Sequence, residues 1–371
     1  MSKNNITEIS IDNYKSIKKL EKFKLNDINI LIGPNGVGKT NFISFLKLLK
    51  NIAEKNLQLY TAEQGGANSI LYFGVKKSDS LHGTLYFSSS NAYKIILKPS
   101  QNDSFYFAYE YAAFRPASNW QSLNTGESGY KESLLDELIL SEEKTKGYKG
   151  IAYYVKMALV GFEIYHFHDT GATSPIKQIC NINDNRLLRP DGSNLAAFLY
   201  FLKEAHPIAF KKIESTVRSI APFFESFILE PLNLSPEGIL LEWKEKGSDS
   251  YFNAHHLSDG TLRFIALATL FLQPKLPTTI IVDEPELGLH PAAIHMLAGL
   301  IRSASVGSQI IISTQSVTLI NQFDFNDLII VERGIEQTEF RRLSESEISS
   351  WLTDYSLGEA WEKNIIGGRP K

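Results

Sequence analysis

The chain has 371 residues, 43% hydrophobic and 21% charged, with a formal net charge of −3 and one cysteine. Such a length supports a sizeable core in more than one lobe, and the charge excludes the overall basic footprint of a nucleic-acid-coating protein. Cys180 alone excludes an internal disulfide and fits a reducing cytosol, no apolar run approaches the ~20 residues that span a bilayer, and the polar start MSKNNITE does not read as a signal peptide.

Residues 6–32 read as two strands joined by a turn, closing on the apolar run Ile28-Asn29-Ile30-Leu31-Ile32. Residues 33–40, GPNGVGKT, fit G-x-x-x-x-G-K-[ST]. In such a loop successive backbone N–H groups cradle phosphates, Lys39 reaches the β/γ-phosphates, and Thr40 offers its hydroxyl to Mg²⁺. Asn35, Gly36, Gly38 and Asn41 complete the candidate nucleotide-contacting set. The stretch Asn41–Leu49 has helical spacing, and strand, Gly loop and helix together set a helix N-terminus against phosphate. Lys15, Lys18, Lys19, Lys22 and Lys24 concentrate positive charge early, either as a solvated face, the favoured reading, or as part of a DNA-facing surface.

Four β-like runs follow, Ile70–Val75, Leu81–Ser88, Ala92–Leu97 and Ser104–Tyr111, whose alternation predicts an antiparallel lobe. Residues 112–150 are turn-rich, with one helix at Ser133–Thr145. Helices are expected at Ser193–Ala205, capped by Asp191 or Ser193, and at Ala209–Ile220, with Pro207 between them. His166, His168 and Asp169 lie close in sequence but lack the three or four convergent ligands of a zinc site, and Cys180 reads as packing rather than nucleophile. Ser226–Leu241 reads as two strands around the turn SPEG. From 257 to 333, helix and strand alternate three times, which predicts a parallel sheet with crossover helices. The expected division is 1–111, an N-terminal part with P-loop and β lobe; 112–224, a mainly helical insertion; and 225–371, the C-terminal part.

Thr279–Val282 is an apolar strand that ends in Asp283 and Glu284. Asp283 is placed to hold Mg²⁺ through water, and Glu284 to polarise an attacking water. Upstream, Leu257-Ser258-Asp259-Gly260-Thr261 opens a helical stretch, with Ser258 a good N-cap and Gly260 permitting close backbone approach. Downstream, Gln309–Thr314 is a second apolar strand ending in Gln315 and Ser316.

The set GPNGVGKT, LSDGT, IIVDEPELGLHP and ISTQS, with the opening ISIDNYKSI, resembles the ATPase head of the RecF/SMC/OLD group of ABC-type ATPases, and more narrowly stand-alone bacterial ATPases of about this size. The likeness covers residues 1–50 and 250–335. It implies an α/β P-loop NTPase fold of ABC-head type, with a mixed sheet, an antiparallel β lobe and a helical insertion. It implies an ATPase using ATP and Mg²⁺, and a homodimer in which Ser258 and Gly260 meet the γ-phosphate held by the other subunit. Gln315 stands where the group usually carries His; it can hydrogen-bond a phosphate or water but cannot titrate. The short tail after Asp327–Glu332 is expected to be too short for the nuclease domain of OLD-type proteins. The resemblance therefore implies a cytoplasmic sensor or regulator of a separately encoded effector, such as a nuclease or toxin, in DNA maintenance or antiphage defence, with DNA a further candidate partner and no membrane. The alternatives are a transporter ATPase subunit, whose signature usually reads LSGGQ, and a nucleotide-dependent scaffold with little hydrolysis. In the tail, Trp351, Tyr355 and Trp361 are expected on one helical face docked against the head.

Overall fold

A computed structural model describes residues 4–115, 121–124, 126, 128–147, 149–349, 351 and 353–368. Strands β1 (Ile6–Tyr14) and β2 (Ile17–Lys24) form a hairpin, and β3 (Ile28–Ile32) runs into the P-loop and helix α1 (Lys39–Ala53). Short helices α2 (Leu57–Glu63) and α3 (Ala67–Ile70) precede β4 (Leu81–Phe87), β5 (Asn91–Pro99), β6 (Phe105–Phe114) and β7 (Gln121–Asn124). Helices α4 (Leu135–Lys146) and α5 (Ile151–Val160) lead to β8 (Phe162–Tyr165); β9 (Cys180–Asn181) is followed by α6 (Leu195–Ala205) and α7 (Pro207–Ile220). Short strands come next: β10 (Phe224–Ile228), β11 (Pro231–Leu232), β12 (Ser235–Ile239), β13 (Glu242–Glu245) and β14 (Tyr251–Asn253). The chain ends with α8 (Asp259–Leu272), β15 (Thr279–Asp283), α9 (Pro291–Ser305), β16 (Gln309–Thr314), α10 (Val317–Ile320), β17 (Leu328–Arg333), β18 (Thr338–Arg342), α11 (Glu345–Ile348) and α12 (Leu357–Glu362).

The central sheet has the order β18-β17-β3-β16-β15-β8, parallel except for β18. Its inner strands β3, β15, β16 and β17 are largely buried apolar runs because both faces are covered. Successive side chains point to opposite faces, so Ile30, Ile32, Ile280, Val282, Ile310 and Ile312 join a core with α6–α9, while Leu31, Ile281 and Ile311 join a second core with α1 and α5. Each such fully buried aliphatic side chain contributes about 1.5–3 kcal/mol. That second core also receives the inner face of the antiparallel sheet β2-β1-β4-β5-β6-β7. The expected mixed α/β architecture with an antiparallel lobe is thus present.

Several local expectations are corrected. Residues 6–32 form three strands, because Asn26 and Asp27 end β2 before the apolar run. Ile70–Val75 is not a strand. Only Leu71 makes a single bridge, to Tyr14, and the chain turns at Phe73 with φ 51°. The SPEG tetrapeptide lies within β12, and the turn falls one step earlier at Asn233 and Leu234. Helix α6 starts after Asn194, with Asp191 accepting instead from the Ser193 N–H, and Pro207 opens α7 rather than separating two helices at a distance. Among its described residues the segment 112–224 holds four α-helices and also supplies β8, the edge strand of the central sheet. Its turn-rich stretch falls partly on 116–120, 125, 127 and 148, outside the described residues, as do Met1–Lys3 and residues 369–371. The tail aromatics do not share one helix: Trp361 is buried in α12, whereas Trp351 is exposed in a turn, its ring centroid 6.4 Å from that of Tyr355.

Candidate functional site

The P-loop leaves the C-terminal edge of β3, where open parallel sheets present their crevices. Gly38 holds φ 115°, and a Cβ there would lie 2.4 Å from Thr338 Oγ1 and 2.8 Å from Ser16 Oγ. These hydroxyls belong to a relay. Asn41 Nδ2 donates to Ser16 Oγ (2.7 Å), Ser16 Oγ meets Thr338 Oγ1 (2.6 Å), and Thr338 Oγ1 donates to the Val37 carbonyl (2.6 Å). Asn41 therefore braces the loop from its side. Lys39 is buried and donates to the carbonyls of Gly33 (2.6 Å) and Pro34 (3.0 Å). Burial pulls its ammonium pKa down, against the opposing pull of Glu284, Asp283 and Glu286. Helix α1 has no side-chain cap and no acidic residue in its first turn, so its N-terminal dipole is offset by nothing of its own. Asn35, Gly36 and Thr40 are exposed around it. A buried cation, an uncapped helix start and a glycine in a left-handed conformation suit a polyphosphate.

Beside this loop the acidic end of β15 is laced to the end of β16. Asp283 Oδ1 accepts from Ser313 Oγ, and the Asp283 carbonyl contacts His168 Nε2 at 2.7 Å. Glu284 has φ 42°, uncommon for a residue with a Cβ, and its N–H donates to the Ser313 carbonyl at 2.9 Å. The Gln315 amide nitrogen donates both to Glu284 Oε1 and to Asn35 Oδ1, the latter at 2.6 Å. Sequence order 35, 284, 315 thus becomes one contact chain from P-loop to acid. Two residues on, Glu286 is 9% exposed. Its Oε1 accepts from Thr314 Oγ1 and from the Gln315 N–H, and its Oε2 has no hydrogen-bond partner among the described residues. Burial pushes this carboxyl above the usual carboxylate range, with the Thr314 hydroxyl opposing.

The expected signature loop caps α8: Ser258 Oγ accepts from the Thr261 N–H (3.2 Å). Gly260 lies against the turn after the acidic pair, where an added Cβ would be 2.3 Å from the Gly288 carbonyl oxygen. Ser258 and Gly260 thus contact Thr261 and Gly288 rather than the P-loop of their own chain. Asp259 pairs with the buried Lys177 (3.3 Å). Arg263, 5% exposed, donates to the carbonyls of Phe167 (2.8 Å), His168 (3.0 Å) and Leu287, and burial lowers its pKa.

Sequence reasoning missed Arg263, Glu286, Lys177, Thr338 and the bracing roles of Ser16 and His168. The visible signal for Arg263 was a lone charge opening the otherwise apolar run to Leu272. Among the described residues no group of three or more His, Cys, Asp or Glu converges to hold a metal, and His168 turns to the Asp283 backbone instead. Cys180 is half-buried with its thiol pKa pushed up by burial, consistent with packing. In the early lysine cluster, Lys18 pairs with Glu336 and Lys19 with Glu21, all exposed. No helix among the described residues is long and apolar enough to cross a membrane.

Comparison with solved structures returns the same fold. The SMC head bound to the C-winged helix domain of ScpA aligns at 16% identity over 93% of this chain and 99% of that one, with TM-score 0.61. The SMC head with an extended coiled coil bound to the C-terminal domain of ScpA, derived from Pyrococcus furiosus, aligns at 15% identity over 94% and 98%, with TM-score 0.53. Identities this low speak for the fold alone, a P-loop ATPase head of ABC/SMC type. The comparison with curated proteins returned no match. Residues 28–146 and 184–321 match the family model described as "AAA domain, putative AbiEii toxin, Type IV TA system", and the chain belongs to that family.

Proposed function

We propose that this chain is an ATP-hydrolysing head that dimerises around ATP and regulates a separately encoded effector in antiphage defence or DNA maintenance. Lys39 and the α1 N-terminus bind the phosphates, with Asn35, Gly36 and Gly38 supplying backbone around them. Thr40 and Asp283 would hold Mg²⁺, which when bound neutralises charge on the transferring phosphoryl group. Glu284 takes the proton of the attacking water, and Gln315 orients that water between the acid and the P-loop. Ser258 and Gly260 serve the ATP of the second subunit, as a helix N-terminus facing phosphate. The observation that carries the reading is the Asn35–Gln315–Glu284 contact chain, which joins phosphate loop and acid in one folded chain. The family description, a putative AbiEii toxin of a Type IV toxin–antitoxin system, supports a toxin–antitoxin setting for the chain.

A second reading, a scaffold that holds ATP with little turnover, is favoured by one observation: the residue on Glu284 is an amide that cannot titrate. Steady-state turnover above that of Glu284→Gln removes the scaffold; equal turnover removes the ATPase. The role is tested by tagging Glu284→Gln in its native cell and identifying what copurifies with the ATP-trapped form. A nuclease-like or toxin-like protein, with or without DNA, supports the regulatory role, and recovery of the head alone counts against it.

A further inference from the structure

We infer that Glu286 is a positioning residue for ATP hydrolysis, acting through Gln315; this rests on the ATPase reading above. Its carboxylate reaches from the turn after Glu284 to the end of β16, where one oxygen accepts from the Thr314 hydroxyl and from the Gln315 backbone N–H at 3.3 Å. Thr314 Oγ1 in turn accepts from the Ser316 N–H at 3.0 Å. Glu286 therefore fixes the backbone on both sides of Gln315, and Gln315 is the residue whose side chain spans Glu284 and Asn35. A backbone shift of even 1 Å at Gln315 would break one of those two contacts.

The chemistry of the site argues against a purely structural part. The second oxygen of Glu286 is buried without a partner among the described residues, and a buried unsatisfied oxygen costs stability. What a carboxylate does here that an aliphatic side chain cannot is accept two hydrogen bonds from the switch strand at once.

The experiment uses the full chain and measures phosphate release and equilibrium binding of a fluorescent ATP analogue. Glu286→Ala is expected to lower kcat about 10-fold or more while KM and analogue affinity move less than about threefold. Glu286→Gln keeps an acceptor oxygen for both donors and is expected within about threefold of wild type. If the effect passes through Gln315, Glu286→Ala/Gln315→Ala is no slower than Gln315→Ala alone. Should Glu286→Ala fail to fold, Thr314→Val removes one donor, and a severalfold drop in kcat at constant KM is expected. Wild-type kcat in Glu286→Ala or Thr314→Val, equal losses in kcat and affinity, an impaired Glu286→Gln, or additive losses in the double variant each overturn the inference. A wild-type chain with no turnover overturns it together with the ATPase reading, whereas robust turnover insensitive to Glu286 overturns it alone.

Discussion

Gln315 and Glu284 meet across the ends of two parallel strands, amide nitrogen to carboxylate oxygen, and the same nitrogen reaches Asn35 of the P-loop. The acid is thus met by a neutral amide donor. Glu284→Gln is expected to bind ATP and to turn over at least ~100-fold more slowly, the scale for losing a positioned base. Phosphate release with and without the variant checks this, and near-normal turnover would sink the assignment of Glu284.

Lys39 is buried against two P-loop carbonyls, so its role in binding can be separated from its role in shape. Lys39→Ala is expected to abolish nucleotide affinity, a loss of at least ~100-fold, and Lys39→Met, which keeps most of the aliphatic stem, to do the same with less change in melting temperature. Unchanged affinity in a fluorescent-analogue titration would count against a phosphate-binding loop.

The parallel sheet was legible because its inner strands are apolar runs that end at the candidate site residues: Ile32 before Gly33, Val282 before Asp283, Thr314 before Gln315. The antiparallel lobe was legible from alternation in 81–111. The run Ile70–Val75 misled because apolarity alone does not make a strand. There Phe73 has a left-handed backbone, and Phe73 and Val75 are exposed. Arg263 and Glu286 were not legible as site residues. Arg263 answers to carbonyls 96, 95 and 24 residues away, and Glu286 to a strand end 28 residues on. The backbone bonds of Arg263 leave no complementary residue type for a sequence pattern to reveal, and the hydroxyl that meets Glu286 is a residue type too common to mark. The edge strand β8 hid inside a helical segment because four residues are too few for periodicity to register.

Gly260 touches the turn that follows the acidic pair, and a methyl group there would meet the Gly288 carbonyl. Gly260→Ala is expected to cost about 1–3 kcal/mol in urea unfolding, the range for forced overpacking. It is also expected to abolish ATP-dependent dimerisation of Glu284→Gln in light scattering. Retained dimerisation would remove Gly260 from the intersubunit site.

Glu110 ties the β lobe to the start of α4: its carboxylate accepts from Tyr93 OH (2.6 Å), Ser133 Oγ (2.6 Å) and the Leu134 N–H (2.9 Å). Burial nevertheless raises its pKa above the ordinary 4.5, with the Ser133 and Tyr93 hydroxyls opposing. The folded state therefore holds this proton more tightly than the unfolded chain. The stabilisation this provides is fully present below 4.5 and is lost as pH rises through the higher folded value. Glu110→Gln does not titrate, so its stability relative to wild type should climb across that window. Urea unfolding of both proteins from acid to neutral pH checks the sign, and a falling difference would contradict it.

Arg263 makes the strongest structural claim on the site, since one buried guanidinium satisfies three carbonyls from two segments, 167–168 beside Asp283 and Leu287 after Glu284. Arg263→Met keeps bulk but orphans those acceptors, and about 2–5 kcal/mol of destabilisation is expected in urea unfolding. Arg263→Lys should recover little, because a single ammonium cannot reproduce the planar fork that reaches both segments. If Lys restored full stability, positive charge rather than geometry would be holding the turn.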